Sequence, residues 1–489
     1  MKNRWFLLIV MFVVAGGTVF SQNYNDALRL AYPGIGSNAR ALGMGNAYSA
    51  LSNDFSGTFF NPAGLGFVKD LGFTGALSSD SYKNDVTFFD NTTDYSNSST
   101  DLSQFGFVFP VPTLRGSMVF AFGFNQVKNF NLAVKFDGFN SSSTFIDYLT
   151  GNNDDIPYEL YLSNPVYDDD DNYLGDETIL TRNLNQSGDI TESGRINKWS
   201  FSGAVQVAEN VFVGGTLNIL SGNYGSDRNY YEDDTRDFYG ASVLTAPDVP
   251  ATADFQTFHL NDILEWDLSG WDAKLGLIYT IPENFNVGLT VKFPSFYTIS
   301  ESYYVDAYSE FADGYIDLPV DIVNDLSYSD WEYDIKTPYE FTGALAYSIN
   351  GLTVSGEATY IDYTQTEFGD DGLDPSFVSS NNKDIKDLFT SVVNYNIGVE
   401  YVLPFPQIAL RAGFIMQPSA YKDDPSDYDR KYITAGVGIT PDNSPFSIDL
   451  AYAHGSWKDI GDNYGSGESR TYQDVSRANF IIAVNYKFY

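Results

Sequence analysis

Segments of about ten residues in which every second residue is apolar recur along the chain, and the links joining them are alternately short and long. A strand that crosses lipid shows hydrocarbon on one face and is free to show water on the other, so its apolar residues recur with period two. Residues 210–220 follow the rule. Val211, Val213, Gly215, Leu217 and Ile219 share one face, and Asn210, Thr216 and Asn218 take the other. The pattern predicts an all-β chain, a transmembrane antiparallel β-barrel of about 14 strands.

The spacing tests that expectation. Fourteen segments run from residues 71–79 to residues 477–488. Tight links follow the even segments, at 110–114, 208–209, 280–284, 350–351, 404–406 and 441–445, and they carry the Pro, Gly and Asn that turns need. Long links follow the odd ones, at 80–102, 128–195, 221–264, 294–338, 364–391, 417–430 and 454–476. An even count with both ends on the short-link side places both termini in the periplasm. Residues 301–323 hold room for a further pair of strands, which would make sixteen. Phe480, Ile482, Val484, Tyr486 and Phe488 alternate almost to the C-terminus, the aromatic-ended final strand expected of an outer-membrane barrel.

Residues 1–21 read as a secretory signal, with basic Lys2 and Arg4, the apolar run 5–14 and small residues before Gln22. That run is too short to span, and no other apolar run reaches the length of a spanning helix. The chain has no cysteine, which excludes disulfides, thiolate metal sites and a lipidated cysteine. It carries 27 Lys and Arg against 64 Asp and Glu, a formal charge of −37, so nucleic acid is not an expected partner. Acidic runs such as 168–171 and 232–234 fall in expected loops, and neither has the spacing of an EF-hand. With 36 Tyr, 38 Phe and 6 Trp, the composition suits aromatic belts at two membrane interfaces.

Residues 22–66 break the rhythm. They are rich in Ala, Gly and Asn, with a helix-compatible stretch at 24–31, and small residues let backbone pack closely inside something else. We read them as an N-terminal hatch plugging the lumen, with residues 67–489 forming the barrel. Gly43, Gly45, Asn61, Pro62, Ala63 and Gly64 are its marked positions, and Asn61 and Pro62 suit a turn at its end.

No catalytic constellation stands out. His259 and His454 are the only histidines and neither lies near a nucleophile motif, so neither an enzyme nor a metal or other cofactor is expected. Parity points four charged residues into the lumen: Glu357, Glu400, Arg411 and Asp449, since a charge facing lipid at mid-bilayer costs roughly 2–4 kcal/mol. Lys292 and Lys487 share that parity. Arg411 has two readings, a fork for the carboxylate head of a ligand or a partner for Glu400 or Asp449 that fixes the hatch. In the link 128–195, Phe130, Phe136, Phe139 and Phe145 belong to an apolar cluster that either lines an entrance for a greasy ligand or packs loop on loop.

Residues 41–50, Asp54 and the run Phe60-Asn61-Pro62-Ala63-Gly64-Leu65, with Tyr401, 410–414 and 447–452 further along, resemble the FadL/TodX family of outer-membrane transporters for long-chain fatty acids and other hydrophobic compounds. The resemblance implies a fourteen-stranded barrel with an N-terminal hatch, long outer loops that gather ligand, and sideways release through a break in the wall. The expected function is therefore inward passive transport of a fatty acid or other hydrophobic small molecule by a monomer in the outer membrane, in contact with its lipid. The alternative is a secretion-accessory or structural barrel that binds exported proteins.

Overall fold

Every strand of the wall pairs with its neighbours in antiparallel register, and the last pairs with the first. The computed structural model describes residues 23–247, 249–281, 284–369, 372–441, 444–465 and 467–488, so the signal expected at 1–21 lies outside the described residues. The wall strands are β1 (Leu71–Phe88), β2 (Asn91–Val111), β3 (Met118–Asn129), β4 (Leu184–Ala208), β5 (Val211–Asp233), β6 (Phe255–Ile281) and β7 (Phe285–Lys292, resumed as Phe296–Phe311). They continue with β8 (Tyr328–Lys336, resumed as Glu340–Ile349), β9 (Leu352–Asp362), β10 (Ser391–Val402), β11 (Ile408–Gln417), β12 (Arg430–Ile439), β13 (Phe446–Asp462) and β14 (Arg470–Phe488). The ladder from Leu71↔Phe488 to Thr87↔Tyr472 joins β1 to β14 and closes the cylinder. Closure leaves no open sheet edge in hydrocarbon.

The breaks in β7 and β8 fall beside Pro294 and Pro338, where a strand loses a ladder donor. Residues 301–323 do not add a wall pair. They continue β7 upward against β6, with a short return strand Gly314–Asp317, and the count stays at fourteen.

Outward-facing residues form an apolar band. Ile433 is 71% exposed and Ile397 59%, values that only hydrocarbon makes acceptable in such number. Above the band the strands continue as polar ribbons. The segment expected as a loop at 80–102 is a hairpin extension of β1 and β2, and most of the link 221–264 belongs to β5 and β6. These stretches lack one apolar face because both faces meet water, so alternation could not reveal them.

At this long-link end the interior is filled. Phe88, Phe136, Phe145, Tyr230, Phe258 and Tyr464 belong to one buried core that joins the wall extensions to helices within the link after β3. At its centre Glu232 accepts hydrogen bonds from the amides of Phe145 (2.6 Å) and Ile146 (3.2 Å), from Gln186 Nε2 (2.7 Å) and from the Tyr230 hydroxyl (3.0 Å). Burial pushes its carboxyl up to about 7, against the lowering effect of these donors. Between its ordinary value of 4.5 and about 7, the folded cap holds a proton that an opened cap releases, so cap stability falls as pH rises through that window. The change amounts to roughly 2–4 kcal/mol. Hydrogen exchange at residues 145–150, corrected for its intrinsic pH dependence, is expected to be faster at pH 8 than at pH 5. Glu232→Gln should flatten that difference, and equal protection at the two pH values would contradict it.

Candidate functional site

The N-terminal segment lies inside the cylinder. It begins with helix α1 (Tyr24–Ala31), whose start is closed by reciprocal bonds between Asn23 and Asp26. It continues through α2 (Ala39–Gly43), capped by Asn38, and two 3-10 turns, Phe55–Thr58 and Pro62–Phe67. Asn61 caps the last of these: its Oδ1 accepts from the Ala63 amide (3.1 Å), and its Nδ2 donates to the Ser49 carbonyl (2.9 Å) and across to the wall at the Leu277 carbonyl (3.2 Å). Pro62 holds the first helical position, where its missing N–H costs nothing.

Glycines in mid-strand let this segment touch the wall. Gly106 and Gly123 face Phe55, Gly214 faces Pro62 and Ala63, and Gly276 faces Asn61. Gly288 faces Ser49 and Ala50, Gly398 and Gly413 face Met44 and Gly45, and Gly436 faces Gly43. A Cβ on Gly413 would lie 2.2 Å from the Gly45 nitrogen, and one on Gly398 would lie 2.1 Å from the Met44 oxygen. Gly64 is constrained within the segment itself, since its Cβ would lie 2.4 Å from the Ser52 oxygen. The wall glycines were not singled out from the sequence. Their signal was an inward-facing glycine inside a strand, which marks close approach of another backbone.

All four lumen-facing charges engage this segment or one another. Glu400 accepts a two-pronged bond from Arg40 of α2 (3.0 and 2.8 Å), and Arg411 Nε donates to the same carboxylate (2.6 Å). Arg411 reaches on to Asp449 (2.6 Å), which also accepts from Asn485 (2.9 Å). Glu357 accepts from the Ser49 amide (2.9 Å). Arg411 is therefore occupied by carboxylates of the chain itself, which corrects the reading of it as a ligand's head-group partner. Arg40 was missed because the hatch has no periodicity that tells which of its residues face the wall.

The four phenylalanines do not line an open entrance. Phe136 and Phe145 are buried in the cap core, and Phe130 is packed edge-on against Tyr224 in the core around α1. Phe139 lies under the Arg236 guanidinium at 3.4 Å. Loop-on-loop packing accounts for them.

Within the barrel several charged residues come together. A cavity of about 140 Å³ lies between α1 and the rest of the hatch, and Lys128, Lys198, Lys274, Lys292, Glu340 and Glu357 line it. Lys198 pairs with Asp272 (2.5 Å), Lys292 pairs with Glu340 (2.6 Å), and Lys274 donates to the Phe59 carbonyl (2.5 Å).

The side of the barrel differs. The β2–β3 ladder runs only from Val111↔Met118 to Gln104↔Asn125. Above that, residues 91–103 of β2 keep their ladder to β1 and have none on the other edge among the described residues. β3 bulges at Val127 against β4 and leaves the wall after Asn129, and a strand Leu132–Asn140 then takes its place beside β4. Among the described residues, side-chain bonds bridge the resulting seam. Asn129 Nδ2 donates to Ser99 (2.8 Å), Asn131 Nδ2 to Ser99 (3.0 Å), Gln126 Nε2 to Asp101 (3.3 Å) and Asn97 Nδ2 to the Glu192 carbonyl (2.8 Å), and Arg195 pairs with Asp101. The seam starts beside Phe105, Phe124 and the half-exposed Leu102, at the upper edge of the apolar band.

No protein-family model matches the chain, and no curated protein matches it in sequence. Solved structures do match. TodX, a toluene transporter of Pseudomonas putida, aligns with a TM-score of 0.55 over 93% of this chain and 99% of its own, at 14% identity. The chain has the fold of such channels. A FadL homologue of Pseudomonas aeruginosa gives a TM-score of 0.54 over 94% of this chain and 100% of its own at 13% identity. CymD, a monoaromatic hydrocarbon channel, gives 0.51 over 93% and 98% at 15%. Within this FadL-type fold, the charge cluster at Arg411 ties the N-terminal segment to the wall. Arg411→Ala would leave Glu400 and Asp449 buried with one cation fewer, a loss of about 3–5 kcal/mol. Hydrogen exchange at residues 39–46 should rise in that variant while the heat-resistant mobility of the barrel persists, and unchanged exchange would contradict the assignment.

Proposed function

We propose that the chain is an outer-membrane channel of the FadL/TodX type, which passes long-chain fatty acids or other hydrophobic small molecules inward by diffusion and releases them sideways into the bilayer. The observation that carries this reading is the unladdered seam at the upper edge of the lipid-facing band. A greasy molecule gains nothing from a charged axial cavity, whereas the seam leads from the lumen to hydrocarbon. Side-chain bonds across the seam open at less cost than a backbone ladder, because each is exchanged for a bond to water. The protein would act as a monomer, exported through its signal, with surrounding lipid as the acceptor and residues 22–66 as the hatch that denies the axial route.

The chain contains no cysteine, so a disulfide can be placed across the seam without competition. Ser99→Cys with Asn129→Cys joins side chains that are 2.8 Å apart in the native protein. In cells or proteoliposomes, oxidation of this variant should stop uptake of a fluorescent fatty acid, and reduction should restore it. Uptake that continues with the seam locked would reject sideways release.

A further inference from the structure

The lipid-facing side of the wall carries a groove of about 600 Å³ that runs across β3 to β7, a size that holds small molecules in other proteins. Strand register shows how it forms. Phe120, Gly203, Gly215, Leu275 and Val291 stand side by side on one outward rung. The two glycines leave the floor bare between Phe120 and Leu275, which sit three strand spacings apart, about 14 Å. On β4 and β5 the rung above carries the bulky Phe201 and Leu217, and the rung below carries Val205 and Val213. The groove is therefore walled toward the long-link end and lower-rimmed toward the short-link end.

Packing within the chain does not call for these two glycines. The nearest atoms to a Cβ on Gly203 would be those of the Phe120 ring, at 3.4 Å, and to one on Gly215 the end of the Leu275 side chain, also at 3.4 Å. Their neighbours Gly214 and Gly276 differ, since the Asn61-Pro62-Ala63 turn presses on them from inside. A glycine weakens a strand interior and often marks where another molecule or backbone comes close. At Gly203 and Gly215 that space lies outside, in hydrocarbon, where an unfilled dent forfeits dispersion contacts. The turn beneath the groove adds a second feature. Residues 112–117 join β2 to β3, and Gly116 lies against Gln206, one residue past the Val205 that pairs with Met118. This turn exposes Leu114 fully and Arg115 beside it. The other five turns between wall strands at that end contain no Lys or Arg.

We infer that this groove binds an anionic glycerophospholipid of the leaflet at the short-link end, with an acyl tail over Gly203 and Gly215 and the phosphate at Arg115. A chain that leaves one hydrocarbon surrounding for another gains nothing from the hydrophobic effect, so occupancy rests on van der Waals fit and on the head group. The concave floor touches the chain on several sides, whereas a convex barrel wall touches it on one. A guanidinium supplies paired donors for two phosphate oxygens. The bound lipid covers the outside of the stretch whose inside carries the Asn61 turn, so the sheet is packed on both faces where its own side chains are missing. The site lies outside the lumen and away from the seam, and is independent of sideways release.

The full barrel in maltoside detergent is mixed with equal amounts of dioleoyl phosphatidylglycerol and dioleoyl phosphatidylcholine and weighed by native mass spectrometry. One phospholipid is expected to stay on the barrel, the anionic one favoured about fivefold, which is what one basic side chain contributes at a lipid surface. Gly203→Leu with Gly215→Leu fills the groove and should abolish retention of both lipids. Arg115→Gln should keep one lipid bound and remove the preference, and Arg115→Lys should keep most of it. Retention by the filled-groove variant equal to wild type overturns the inference, as does a wild-type barrel that keeps no lipid or keeps the two equally. A lipid-free wild-type dimer that the filled-groove variant breaks assigns the groove to a second copy of the chain and overturns it as well. Heat-resistant mobility shows that each variant has folded.

Discussion

Hydrocarbon offers no partner for a peptide N–H or C=O, and that one deficit shapes everything else in this molecule. A sheet of fourteen strands satisfies it only by bonding its last strand to its first, as β14 does to β1 from Phe488 to Tyr472. Closure then creates an interior that must be filled, and the first part of the chain fills it. One stretch where the wall lacks a ladder, between upper β2 and its neighbour, begins where the apolar band gives way to polar ribbon. There water can reach the unpaired edge, so the break costs little.

Contact between the N-terminal segment and the wall rests on two complementary devices. Glycines on β5, β7, β10, β11 and β12 bring backbone against backbone, those on β2, β3 and β6 make room for Phe55, Asn61 and Pro62 side chains, and the Arg40–Glu400–Arg411–Asp449 chain locks one register of that contact. Buried ion pairs of this kind add little net stability over an apolar filling, because the charges have lost their water. Their worth lies in selectivity. An N-terminal segment shifted by one residue would leave Glu400 without its Arg40 partner, so the cluster penalises the wrong seating more than it rewards the right one.

Much of this was legible in the amino-acid order, and the failures have physical causes. Period-two patterning and the alternation of short and long links were enough for the strand count, because lipid punishes a polar outward residue. Parity placed Glu357, Glu400, Arg411 and Asp449 inside for the same reason. Strand length was underestimated wherever both faces of a strand meet water, as in the Ser, Thr and Asn run of upper β2. The aromatic residues after β3 were ambiguous between an entrance and a core because amphipathic packing writes the same pattern in both. The seam was invisible in principle, since a missing ladder is a property of two segments together and each alternates normally alone.

The 27 residues of β6 reach about 90 Å along the strand, or about 70 Å of height at a typical barrel tilt, against an apolar band about 25 Å tall. That flank of the wall therefore stands well clear of the bilayer as a chimney, whereas β9 to β12, of 10–12 residues each, do little more than span the band. The two ends of that flank sit in different solvents, the cap in bulk water and its ions and the lower strands in fat, so a single sheet spans the polar zone between them.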